Sequence, residues 1–129
     1  MPKILIVEDD LSNREMLARR LEWEGYQVVT AENGAQAIVR AIEERPSLIL
    51  MDMGLPVMNG WQATYRIKSN VTTRAIPIIA LTAFALSSDR EKCLHVGCDD
   101  YETKPVDFER LHTKMRSLLA NDLAAKVTA

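Results

Sequence analysis

Five short runs of β-branched and aliphatic residues alternate with five helical stretches, and this alternation restricts the chain more than any other feature. Lys3 to Val7 (KILIV) is continuous, as suits a strand buried on both faces. Leu11 or Ser12 opens a helix that runs to about Glu24, with Leu17 and Leu21 on one stripe and Gly25 placed to end it. Tyr26 to Ala31 reads as a second strand. Asn33 caps a second helix that ends before Pro46. Leu48 to Met51 (LILM) is a third strand, ending at Asp52, and a loop with Gly54, Pro56 and Gly60 follows. Trp61 to Ser69 is a third helix. Ile76 to Leu81 is a fourth strand with Pro77 near its start. Ser87, Ser88 and Asp89 cap a fourth helix that stops at Gly97. Asp99 to Thr103 is a short fifth strand, and Asp107 caps a last helix to about Ala120. Residues 122–129 are expected to fray. Alternation of this kind predicts an α/β fold: a parallel five-stranded sheet between two helical layers.

Size and charge narrow the functions. At 129 residues the chain has length for one core. Hydrophobic residues at 47% and charged residues at 26% exclude a disordered chain. A formal charge of −2 gives no reason to expect a nucleic-acid or membrane partner. No apolar run is long enough to span a bilayer, and no signal-peptide pattern opens the sequence, so a cytoplasmic protein is expected. Cys93 and Cys98 do not make a disulfide framework. With His95 they lack the fourth ligand and paired spacing of a zinc site, and they read as buried thiols near a helix end. Met51, Met53 and Met58 read as core and loop filling. Trp23 reads as a structural residue at the end of the first helix.

Function in open parallel sheets sits at the carboxyl ends of the strands. There the first strand ends in Glu8-Asp9-Asp10, the third in Asp52 and the fourth in Thr82-Ala83, and Lys104-Pro105 follows the fifth. With the flavodoxin-like order 2-1-3-4-5, Glu8, Asp9 and Asp52 converge in one pocket flanked by Thr82 and Lys104. Clustered carboxylates repel one another and call for a cation, and all-oxygen ligands favour a hard ion such as Mg²⁺. Each residue alone has a plainer reading. Asp10 or Ser12 can simply cap a helix, a Thr commonly ends a strand, and Lys-Pro is ordinary in a loop. Their joint placement at one edge points to phosphoryl transfer: a carboxylate nucleophile, with a cation, an ammonium and a hydroxyl neutralising the phosphoryl oxygens.

KILIVEDD, LILMDMGLPVMNG, IPIIALTA and DDYETKP, in that order and spacing, resemble the receiver domain of two-component response regulators. The resemblance covers Lys3 to about Ala120 and suggests a receiver over residues 1–121 with no output domain. That makes it similar to CheY-like or DivK-like single-domain regulators, the latter through TAFA (Thr82 to Ala85) and the NGW loop. The resemblance implies that Asp52 accepts a phosphoryl group from a phosphohistidine on a sensor kinase or phosphotransfer protein. It implies that Asp9 binds Mg²⁺, for which Mn²⁺ can substitute, with Glu8 and Asp52 nearby and the Gly54 carbonyl as a further ligand. Thr82 and Lys104 then bind the phosphoryl group, the Lys104-Pro105 bond is cis, and Tyr101 turns inward as Thr82 moves. Phe84, Tyr101, Lys104 and Pro105 belong to the face offered to a downstream protein target. The chain is expected to be a signalling switch rather than a metabolic enzyme, and a monomer, or a dimer when phosphorylated.

Two departures bear on lifetime. Gly54 and Phe84 stand where many relatives carry larger or polar residues, so no polar side chain is expected to orient an attacking water. A long-lived phosphoryl group follows, and a lifetime of seconds in the purified phosphoprotein would refute it. Ala83 leaves the entrance open. Phe84, Ala85 and Leu86 either pack on their loop or form a docking patch, and Trp61 is placed to report on the site. Rival readings fare worse. A flavin binder needs a phosphate-cradling loop where EDD stands. A dehalogenase-type hydrolase needs an acid where Gly54 stands. No G-x-x-x-x-G-K-[ST] motif is present. A phosphorylation-independent scaffold would be expected to lack Asp9, Asp52 or Lys104.

Overall fold

The structure is a computed structural model that describes residues 2–83 and 87–128, with side chains at all of these except 87–89 and 121–128. The elements run β1 (Lys3–Val7), α1 (Leu11–Trp23), β2 (Gln27–Ala31), α2 (Gly34–Glu44), β3 (Leu48–Asp52), α3 (Gly60–Ser69), β4 (Ile78–Thr82), α4 (Ser87–Val96), β5 (Asp100–Thr103) and α5 (Phe108–Thr128). All five strands are parallel, in the order β2-β1-β3-β4-β5. The expected architecture and strand order are therefore present.

Strand alternation divides the core into two layers. Leu5, Val7, Ile49, Met51, Ile78 and Ala80 point to one side, where Ala37 and Ala41 of α2, Ala63 and Ile67 of α3 and Cys93 of α4 cover them. Ile4, Ile6, Leu48, Leu50, Ile79 and Leu81 point to the other, against Leu21 of α1 and Leu111 and Met115 of α5. These central-strand residues are at most 1% exposed, so each Val, Leu, Ile or Met among them contributes roughly 1.5–3 kcal/mol by leaving water.

Local chemistry sets the helix ends. Asp10 caps α1 by accepting the Asn13 N–H at 2.8 Å, and Asn33 caps α2 by accepting that of Gln36 at 2.9 Å. Asn59 and Gln62 form a reciprocal capping box at α3. Gly97, with φ of 104°, ends α4 in a conformation that a side chain would strain.

Three expectations need correction. β4 starts at Ile78 rather than Ile76, because Pro77 has no N–H for the ladder and the Asp99 carboxylate takes the Ile78 N–H at 2.8 Å. α5 continues to Thr128 rather than ending near Ala120, since neither Gly nor Pro interrupts the segment and Ala124, Ala125 and Lys126 favour helix. Trp23 is 85% exposed rather than part of the core, because it lies two residues from inward-facing Leu21 and so on the opposite side of α1.

Candidate functional site

The strand order brings the ends of β1, β3 and β4 side by side, and the acidic residues meet there. Carboxylate oxygens of Glu8, Asp9 and Asp52 lie within 4.8 Å of one another. Glu8 and Asp52 are buried, while Asp9 is exposed. The Lys104 ammonium, just past β5, stands 3.1 Å from Glu8 Oε2 and 3.1 Å from Asp52 Oδ2. The other Asp52 oxygen accepts the Gly54 N–H at 3.1 Å. Thr82 is buried at the end of β4, its carbonyl accepts the Lys104 N–H at 2.8 Å, and it lines the same cavity as Asp52, Gly54 and Ala83. The Lys104-Pro105 peptide is cis.

Backbone approach holds Asp52 in place. α3 begins at Gly60 against the end of β3, so close that a Cβ there would run into the Asp52 carbonyl oxygen and the Met53 Cα. Arg14 of α1 donates to the Glu8 carbonyl at 2.9 Å and tethers the β1–α1 loop from below. The acidic loop is thus held by a helix cap at Asp10 and by this guanidinium.

Burial and the neighbouring Asp52 carboxylate push the Glu8 carboxyl above the usual glutamate range, although Lys104 pulls the other way. Burial works to lower the Lys104 ammonium, but Asp52 and Glu8 together outweigh it and raise its value. Glu8 and Asp52 share the bonded ammonium of Lys104, and with the Asp9 carboxylate beside them the cluster holds more negative charge than that ammonium balances. A small hard cation fits that donor set, since every donor is a carboxylate oxygen. Among the described residues no other group of three or more metal-ligating side chains is assembled. Cys93 and Cys98 are buried, His95 is exposed, and contact with Cys93 together with burial pushes the Cys98 thiol far up, the opposite of what a metal thiolate needs.

Tyr101 sits where α4, β5 and α5 meet. Its half-buried ring lies between the Arg90 guanidinium at 6.0 Å and the Lys114 ammonium at 5.2 Å, measured to the ring centroid. Lys114 also donates to the Tyr101 carbonyl at 2.6 Å. Pro105 is exposed beside half-exposed Lys104. Phe84, Ala85 and Leu86 lie outside the described residues.

Sequence reasoning missed two cavity-wall or loop-holding cations. Lys92 of α4 lines the acidic cavity, with its ammonium 4.7 Å above the centroid of the Trp61 ring. Arg14 reads in the sequence as one more helix cation. Nothing in the order of residues separates either from other surface cations, because each reaches the site only through the rotation of its helix.

Comparison with known proteins agrees with this geometry. The family model described as the response regulator receiver domain matches residues 4–116. The polar-differentiation response regulator DivK of Brucella anthropi is 38% identical over 122 residues, covering 94% of this chain and 99% of that protein. Protein PilH of Pseudomonas aeruginosa is 39% identical, covering 93% and 99%. A crystal structure of the receiver domain of the sensor histidine kinase PA1611 from Pseudomonas aeruginosa has a magnesium ion coordinated in its active-site cleft. It superposes with a TM-score of 0.85 at 39% identity, covering 92% of this chain and 98% of that one. Among the described residues, no helix is long and apolar enough to cross a membrane.

Proposed function

Because the chain belongs to the response regulator receiver domain family, we propose that Asp52 is its phosphoryl acceptor and Lys104 and Thr82 its phosphoryl-binding groups. One observation carries the reading. Glu8, Asp9 and Asp52 converge within 4.8 Å, and Lys104 bridges Glu8 and Asp52 at 3.1 Å to each. A carboxylate so placed is a nucleophile for a phosphohistidine of a sensor kinase or phosphotransfer protein. An Asp52 oxygen forms a bond to phosphorus as the phosphorus–nitrogen bond breaks, and the histidine leaves with the electron pair.

Glu8, Asp9, Asp52 and the Gly54 carbonyl are the groups that would hold Mg²⁺ or Mn²⁺. The ion would supply positive charge to the phosphoryl oxygens during transfer. The chain's own groups do the rest. The Gly54 N–H orients Asp52, Lys104 moves its hydrogen bonds from carboxylate to phosphoryl oxygen, and the Thr82 hydroxyl donates to the same group. Phosphorylation adds charge and acceptor oxygens, and so draws Thr82 and Lys104 inward. Tyr101, between two cations at the junction of α4, β5 and α5, then changes its packing and alters the surface offered to a downstream protein.

The test is incubation of the purified protein with acetyl phosphate, with and without Mg²⁺, read by intact mass. One phosphoryl group that requires Mg²⁺ and is absent in Asp52→Asn is expected. No adduct, or an adduct indifferent to Asp52, would leave the chain as a phosphorylation-independent binding module of the same fold.

A further inference from the structure

We propose that Lys92, parked over the Trp61 ring at the wall of the acidic cavity, is a second phosphoryl-binding cation that draws an anionic phosphoryl donor toward Asp52. The inference rests on Asp52 as acceptor and adds a second cation to that site.

Charge and geometry carry it. Among the described residues, the cations lining this cavity are Lys104 and Lys92. Lys104 is already committed, at 3.1 Å, to both Glu8 and Asp52. Three carboxylates against that ammonium leave the pocket short of two positive charges, which one divalent cation supplies. Phosphorylating Asp52 to an acyl phosphate replaces a carboxylate monoanion by a group of nearly two negative charges at neutral pH. One further positive charge is then needed, and among the described residues Lys92 is the cavity-wall cation outside the Lys104 ion pairs.

Its resting place suits that role. An ammonium over an aromatic face is held weakly and without a fixed hydrogen-bond direction, so it can leave for a phosphoryl oxygen at small cost. The four-carbon stem of an exposed lysine on α4 gives it reach. Trp61 keeps the charge at the cavity wall rather than letting it extend into solvent. A positive charge there also speeds the arrival of an anion, an effect that salt suppresses.

In transfer from acetyl phosphate, an Asp52 oxygen bonds to phosphorus, the acyl oxygen–phosphorus bond breaks, and acetate leaves with the electron pair. Initial rates with Mg²⁺, read by intact mass, test the proposal in the wild type, Lys92→Ala, Lys92→Arg and Lys92→Glu. At low ionic strength Lys92→Ala is expected to be roughly 3- to 10-fold slower and Lys92→Glu slower still, with Lys92→Arg within about twofold of wild type. In about 1 M salt these differences should largely close.

A second readout separates charge from fold. In a Trp23→Phe background Trp61 is the remaining tryptophan of the two, so its fluorescence can follow a Mg²⁺ titration without donor. Removing a cation from the cavity wall should tighten Mg²⁺ binding by roughly two- to threefold while slowing transfer. A merely structural role for Lys92 would move both in the same direction. Equal rates in wild type and Lys92→Ala, or parallel losses of rate and affinity, overturn the proposal alone. A wild type that takes up no phosphoryl group overturns the Asp52 reading and this proposal with it.

Discussion

Glu102 and Asp52 are both buried carboxylates on the one sheet, on β5 and β3, but their surroundings differ. Glu102 is 2% exposed and faces two cations: Arg110 at 2.8 Å and Lys114 at 3.0 Å, both from α5. Asp52 is 6% exposed and shares the single ammonium of Lys104 with Glu8, with Asp9 close by. The first carboxylate is matched, since Lys114 also stands 3.7 Å from Asp100 and two cations face two acids, and it straps the edge strand to a helix. The second is under-compensated and leaves room for added positive charge. Burial of an acid therefore says little about function until the charges around it are counted.

The contrast predicts opposite signs on mutation. Glu102→Gln should destabilise the fold by about 3 kcal/mol in urea melts, because it removes the carboxylate charge that two cations are held around. A change within experimental error there would mean that Arg110 and Lys114 simply turn to water. Gly60→Ala should cost about 2 kcal/mol, because its Cβ would drive α3 off the Asp52 and Met53 backbone. That loss should come with weaker Mg²⁺ binding, since the displaced backbone carries the Asp52 carboxylate. Asp52→Asn should go the other way and stabilise the metal-free protein by about 1 kcal/mol, by relieving carboxylate repulsion. Saturating Mg²⁺ should abolish that advantage, and a destabilised Asp52→Asn variant in chelator would contradict the charge count.

The smallest effect is in pH. The folded Glu8 binds its proton at a higher pH than the usual glutamate value of 4.5, and Asp52 is one cause of this. Between those two points the folded chain holds more protons than the unfolded chain, so this group's contribution to stability grows as pH falls and is complete below 4.5. The gap between wild type and Asp52→Asn should therefore narrow as metal-free melts move from pH 7.5 toward pH 5. Lys104 works in the opposite range. Its raised value contributes stability that is present below 10.5 and lost as pH rises through the folded value.

Much of this protein was legible in the order of its residues, for a short-range reason. The apolar runs KILIV, LILM and IIALT, the caps Asp10 and Asn33 and the stops at Gly25 and Gly97 depend on neighbours a few residues away. Their alternation determined a parallel sheet, and the sheet brought Glu8, Asp9, Asp52, Thr82 and Lys104 to one edge. Local order could not determine which side of a helix meets which side chain of a distant element. That decided the tether from Arg14 to the Glu8 carbonyl, the exposure of Trp23, the pairing of Glu102 with Arg110 and Lys114, and the seat of Lys92 over Trp61. Periodicity says that a helix has an inner face. Only packed neighbours, which balance volume and charge across the whole core, say what that face and its rim touch.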